Sequence, residues 1–267
     1  MRVLGARRSA AYAGDDDGMQ QRRPPGDGRR TRLAFRIVKV VFIAVVVLAA
    51  GTGVLFLVTP PASMATAIAA AQAREHRIGY PGPPVPAYFA QALVATEDHR
   101  FYTDPGIDPI ALARVALARV TGRHDQGGAT IDQQLAKNLY TSGVSGFTQD
   151  IEQVVLAVKL HFTYSHAEIL RLYAEVAYYG HGYYGLTAAS CGYFGRAPAQ
   201  LTLVQAAMLA GAVNAPTADD PLVHPAQARA RLVHVLDRMA AVGYLTAAQH
   251  DAALRAPLGL TAVRGCR

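Results

Sequence analysis

Nineteen consecutive uncharged and mostly apolar residues, Val40 to Val58 (VVFIAVVVLAAGTGVLFLV), constrain this chain more than any other feature of its sequence. At ~1.5 Å per helical residue, such a run crosses the roughly 30 Å hydrocarbon core of a bilayer. The charge on either side of it is lopsided: residues 1–39 hold 10 of the 26 basic residues and 4 of the 19 acidic ones, so the rest of the chain is almost neutral. A cleaved secretory signal begins near the N-terminus and ends in small residues, whereas this run starts at residue 40 and continues into Thr59-Pro60-Pro61. An uncleaved anchor is the expectation. Basic residues on its N-terminal side place residues 1–39 in the cytoplasm and the chain from about Thr59 outside, as a single-pass protein of the cell membrane.

Residues 1–39 are rich in Gly, Asp, Pro and Arg with little to bury, so a disordered basic cytoplasmic tail is expected, its arginines facing anionic lipid headgroups. Aromatic and basic residues do not interleave in it as a single-strand binder requires, which argues against nucleic acid as a partner. The two cysteines, Cys191 and Cys266, define neither a metal site nor a disulfide by their spacing.

Beyond the anchor the apolar spacing is helical almost throughout. It predicts helices near 64–75, 87–98, 108–121, 131–140, 149–163, 166–179, 200–213, 225–242 and 246–254, separated by Gly- and Pro-containing turns such as Asp104-Pro105-Gly106 and Asn214-Ala215-Pro216. The fold class is therefore all-α: one transmembrane helix at 40–58, one helical domain over 62–255 and a C-terminal tail at 256–267.

Three segments look chemical. In Ala95-Thr96-Glu97-Asp98-His99-Arg100 an apolar helix ends in adjacent carboxylates, and a carboxyl at such a site can have its pKa raised and act as a general acid or base. In Gly127-Gly128-Ala129-Thr130-Ile131-Asp132-Gln133-Gln134-Leu135-Ala136-Lys137, a glycine pair leads into a helix with Thr130 as N-cap and Gln133 as its capping-box partner, and Gln134 and Lys137 lie on neighbouring turns. Free amides at such a helix start suit an anion. The third segment, Thr148 to Ala177, is a pair of apolar helices parted at Tyr164-Ser165 and bearing Glu152, Lys159, Glu168 and Glu175.

In this order the segments resemble the family 51 glycosyltransferases, the peptidoglycan glycosyltransferase domain of class A penicillin-binding proteins and of monofunctional transglycosylases. ATEDHRFYTDPGID is similar to the family's first motif, GGATIDQQLAKNLY to its second, YSHAEILRLYAEVAYYG to a later block, and AASCGYFGRAPAQLTLVQAAMLAG to the segment closing the core. The resemblance implies a lysozyme-like helical domain, and because the sequence stops at Arg267 no transpeptidase domain is expected after it. It also implies polymerisation of lipid II, with the membrane lipid, the nascent glycan strand and a wall-synthesis complex as partners. By resemblance Glu97 is the catalytic base, and Asp98, Thr130, Gln133, Gln134, Lys137 and Arg196 are substrate-binding positions. Positive charge or a divalent metal, Mg or Mn, would meet the departing pyrophosphate.

The departures bear on activity. The family's third motif, Arg-Lys-x-x-Glu, falls on Gln149, Asp150 and Gln153 when counted from either flank, so two cations and the second catalytic carboxylate are replaced. Glu152, one residue away, or Glu175 would supply the second carboxylate, unless a metal makes it dispensable. A one-residue step is about 100° of helix rotation, and the expected buried face is Ile151, Val154, Val155, Val158 and Phe162. Further departures are Asp104 for His, Ala129 and Asp132 for Ser and Thr, and Glu175 for Asn. Two readings follow: a polymerising enzyme with Glu97 as base, or a weakened relative that binds lipid II or glycan or serves as a wall-synthesis partner.

Overall fold

The computed structural model describes residues 27–122, 128–144 and 146–263. Contacts divide the chain into two units, Met1–Gly53 and Val54–Arg267. The described part of the first is the beginning of α1 (Asp27–Val58), whose apolar run reaches a mean hydropathy of 2.8 over 18 residues and is long and apolar enough to cross a membrane. Helix α1 starts well before Val40. Residues 27–39, expected as disordered tail, are helical because Arg, Leu, Ala and Lys are good helix formers and propagation from an existing helix costs little. The remainder of the expected tail, residues 1–26, lies outside the described residues.

The second unit is helical, as the periodicity predicts. After the 3₁₀ turn Ala62–Met64 come α2 (Ala65–Glu75), α3 (Ala87–Glu97), α4 (Pro109–Thr121), α5 (Ile131–Tyr140), α6 (Phe147–Thr163) and α7 (His166–Val176). Helices α8 (Leu186–Phe194), α9 (Leu203–Ala212), α10 (Pro225–Ala241) and α11 (Ala247–Arg255) complete it. Among the described residues no strand forms, and Tyr178 and Tyr184 make one isolated antiparallel bridge.

Two packed groups build the core: α3 lies against α9 and α10, and α5 lies against α6 and α7. Phe89, Leu93, Leu135, Leu156, Leu160, Leu172 and Leu236 are fully buried between these helices. Burying side chains of this size stabilises by about 1.5–3 kcal/mol each. Gly106, at φ 80°, lets the loop after α3 lie on α6, because a Cβ there would come within 2.7 Å of His161 Cβ and 2.9 Å of the Ala157 carbonyl oxygen. Helix α8 has no counterpart in the sequence expectation: it is buried almost all round, so it shows no polar face and no amphipathic period. Helix α7 ends at Val176, three residues before its expected end, where Ala177 turns extended to enter the Tyr178–Tyr184 bridge.

On α6 the buried positions are Val155, Leu156, Ala157, Lys159 and Leu160, with Ile151, Val154 and Val158 half-buried. Phe162, expected in the core, is 76% exposed in the last turn, its ring meeting that of His161 edge-on. Cys191 is disulfide-bonded, and Cys266 lies outside the described residues.

Candidate active site

A cleft of about 580 Å³ opens where the end of α3 faces α5, α6 and α10. Glu97, the last residue of α3, is its only lining carboxylate among the described residues, with a side chain 6% exposed. One oxygen, Oε1, lies 2.7 Å from Arg231 Nη2 on α10. The other, Oε2, accepts from Gln134 Nε2 at 3.0 Å and from Asn214 Nδ2 at 3.5 Å. Each of the two closest donors is itself fixed. Arg231 Nε donates to the Gly211 carbonyl at 3.1 Å, and the Tyr173 hydroxyl donates to Gln134 Oε1 at 2.8 Å. Ordered from both sides, Glu97 loses rotamer freedom that an exposed glutamate keeps.

Helix α5 supplies Gln133, Gln134, Lys137 and Asn138 to the cleft wall. Its start is set by the expected capping box: Thr130 Oγ1 accepts from the Gln133 amide at 3.2 Å, and Gln133 Oε1 accepts from the Thr130 amide at 2.9 Å. Thr130 is 2% exposed and also donates to the Gly106 carbonyl at 2.8 Å, so its hydroxyl is engaged within the fold. Lys137 is exposed and brings positive charge to this wall.

Asp98 caps the end of α3 and faces an adjoining hollow of about 320 Å³ that it shares with Glu97, Thr130, Arg100 and Arg114. Its Oδ2 accepts from the Ile131 amide at 3.2 Å, tying the end of α3 to the start of α5. Burial pushes its pKa up to about 6, although the Ile131 hydrogen bond pulls the other way.

Of the third-motif positions, α6 brings Gln153 into the cleft, where its Nε2 donates to Thr141 Oγ1 at 2.9 Å. Glu152, one step round the helix, is half-exposed and does not line the cleft. Gln149 and Asp150 are not among the lining residues either, and exposed Arg196 lies away from the cleft. Around Glu97 the cleft wall carries five carboxamides, Gln133, Gln134, Asn138, Gln153 and Asn214, beside the cations Lys137 and Arg231 and the tyrosines Tyr173 and Tyr178. Among the described residues no three His, Cys, Asp or Glu side chains converge as ligands for a metal. With both Glu97 oxygens already engaged, the cleft's residues do not fit a protein-held divalent ion.

Sequence reasoning missed Arg231 and Asn214. Arg231 stands 134 positions from Glu97, so no local motif joins them. A faint signal does exist: Arg231 and Arg238 flank the apolar stripe Ala228, Leu232, Val235, Leu236 and Met239 of α10, where a charge needs a buried partner. Arg231 finds Glu97, and Arg238 Nε donates to the Ala95 carbonyl at 3.3 Å, so both serve the end of α3.

A second polar centre joins α5 to α6. Asp132 of α5 is buried and His161 of α6 half-buried, with Oδ1 and Nδ1 3.8 Å apart, and neither of these two buried atoms has a hydrogen-bond partner. Burial, with the Asp98 charge added, raises the Asp132 pKa to about 7, and burial lowers that of His161.

The family model described as Transglycosylase matches residues 64–240. A protein of Cupriavidus necator named for transglycosylase activity is 39% identical over 176 residues, covering 66% of this chain and 76% of its own. Penicillin-binding protein 1A of Aquifex aeolicus is 41% identical over 175 residues, or 65% of this chain and 24% of its own. Penicillin-binding protein 1A of Escherichia coli is 40% identical over 168 residues, or 62% of this chain and 20% of its own. The chain thus spans a quarter or less of these two penicillin-binding proteins.

Proposed function

Because the chain belongs to the transglycosylase family, we propose that it is a membrane-anchored peptidoglycan glycosyltransferase that extends glycan strands from lipid II. The observation that carries this reading is Glu97, held in the cleft by Arg231 and Gln134. In the proposed step, the 4-hydroxyl of an incoming lipid II attacks the anomeric carbon of the strand. The new O–C1 bond forms as the bond from C1 to the pyrophosphate oxygen breaks. Glu97 takes the hydroxyl proton, and the undecaprenyl pyrophosphate leaves with the bonding electrons. General-base assistance of this kind contributes about 10²–10⁴-fold.

The cleft's weakness is on the leaving-group side. Lys137 is positioned to meet the pyrophosphate, whereas Gln153 can donate a hydrogen bond but cannot exchange a proton. Turnover is accordingly slow. Glu152 lies outside the cleft and has no part in the step, so Glu97 acts without a second carboxylate. Asp98 and Thr130 hold the first and second motifs together, while Gln133, Gln134 and Lys137 face substrate. Helix α1 anchors the chain with its N-terminus in the cytoplasm and the glycosyltransferase domain outside, at the lipid surface where its substrate resides.

A second reading, a non-polymerising binder of lipid II or glycan within a wall-synthesis complex, is favoured by the carboxamide wall, whose donors and acceptors suit neutral sugar hydroxyls and acetamido groups. Purified full-length protein incubated with labelled lipid II separates the two. Ladders of glycan strands support the enzyme, and lipid II binding without ladders supports the binder.

A further inference from the structure

Thr59-Pro60-Pro61, which follows the apolar run, is held in the structure. Lys159 of α6 is buried, and its Nζ donates to the Thr59 carbonyl at 2.8 Å, to Thr59 Oγ1 at 2.7 Å and to the Pro60 carbonyl at 3.2 Å. The same ammonium lies 4.7 Å from the centroid of the Phe56 ring. Thr59 closes the end of α1 in turn, its amide and its hydroxyl reaching the Leu55 carbonyl at 3.1 and 2.8 Å. A buried ammonium ordinarily needs a carboxylate. Here carbonyl oxygens at the negative end of a helix dipole and an aromatic face take that place.

Two tyrosines complete the grip. The Tyr140 hydroxyl at the end of α5 lies 3.3 Å from both the Pro61 and Ala62 carbonyls, and the Tyr164 hydroxyl donates to the Ala62 carbonyl at 3.1 Å. These contacts come from the helices that line the cleft: α5 carries Lys137 one turn before Tyr140, and α6 carries Gln153 six residues before Lys159.

We infer that Lys159 is a positioning residue: it clasps the last turn of α1, Val54–Val58, to the cleft helices, so that the Thr59–Pro61 junction does not hinge. The inference rests on the membrane-anchored reading above. A clasped junction presents the cleft to a substrate whose sugar and pyrophosphate are themselves tethered at the lipid surface. A junction free to hinge would have to find a productive arrangement at each encounter, at a cost in orientation.

The test places spin labels at Leu57 and Thr187, both exposed, in the full-length protein in lipid nanodiscs. Non-cysteine chemistry is used because Cys191 is disulfide-bonded. The wild type should give one narrow distance distribution, Lys159→Met a broad one, and Thr59→Val an intermediate one, with far-ultraviolet circular dichroism unchanged. If Lys159→Met unfolds the domain, Thr59→Val alone decides. A distribution as narrow as the wild type in every folded variant overturns the clasp.

In parallel, Lys159→Met should lose about tenfold in rate on long-chain lipid II in bilayers and keep its rate on a short-chain, water-soluble analogue. Equal losses on both would mark Lys159 as merely structural and overturn the positioning role. If the wild type extends neither substrate, the catalytic reading fails while the distances still decide the clasp. If the chain does not enter nanodiscs, the membrane reading fails and the same distances measured in detergent decide it.

Discussion

Arg231 on α10 lies 2.7 Å from Glu97 at the end of α3, an ion pair that joins two helices across 134 positions of sequence and fixes the cleft's carboxylate. Its two side chains are 20% and 6% exposed, so water screens the pair only partly. Removing one partner leaves the other as an uncompensated, largely buried charge. Arg231→Met is therefore expected to lower stability by about 2 kcal/mol and glycan polymerisation by about 10²-fold or more. Arg231→Lys, which keeps the charge without the planar fork, should fall between. Urea denaturation and strand-length assays on the same preparations check both numbers, and unchanged polymerisation in Arg231→Met would show that Glu97 needs no such support.

The third-motif positions separate cleanly by their place on α6. Gln153 lines the cleft and Glu152 does not, so Gln153→Glu is expected to raise the polymerisation rate by about 10²-fold, whereas Glu152→Gln should leave it within twofold. Gln149→Arg and Asp150→Lys lie outside the lining and should add less than Gln153→Glu does. Initial rates of lipid II consumption across these variants decide the matter. Loss of activity in Glu152→Gln would mean that α6 turns in the substrate complex.

Asp132 makes stability depend on pH in a defined direction. Its folded pKa, about 7, is above the ordinary carboxylate value, so on raising pH the unfolded chain releases this proton before the folded one does. Its contribution to stability is present in acid, falls between about pH 4 and pH 7, and is level above that. His161, with its pKa lowered, acts the other way, costing stability as pH falls below its unfolded value. Asp132→Asn should consequently gain on the wild type from pH 5 to pH 8, by an amount on the order of 2 kcal/mol. Denaturation curves at the two pH values measure it, and a constant difference would contradict the assignment.

The all-α class, the boundaries of α5 and the capping box of Thr130 and Gln133 were legible because local hydrogen bonding and apolar spacing set them. Helix α8 was not, since a helix buried on nearly every side carries no contrast between faces. Glu97 could be singled out as a carboxylate at the mouth of an apolar helix, but Arg231 and Asn214 reach it only through the packing of α3 against α9 and α10, which no local pattern encodes. The contacts of the Pro-Pro junction were not legible either, because what holds Thr59 is a lysine 100 positions away.

Glycan polymerisation by the wild type and by Glu97→Gln, assayed side by side from lipid II, decides whether Glu97 is the base. Slow but measurable strand growth by the wild type is expected, and its loss in Glu97→Gln with the helical circular dichroism preserved, because the amide matches the acid in shape and its oxygen can still accept from Arg231, although the charge of the pair is lost. Strand growth in Glu97→Gln above about a tenth of the wild-type rate, where loss of a general base costs ~10²-fold or more, would contradict it and place the base elsewhere.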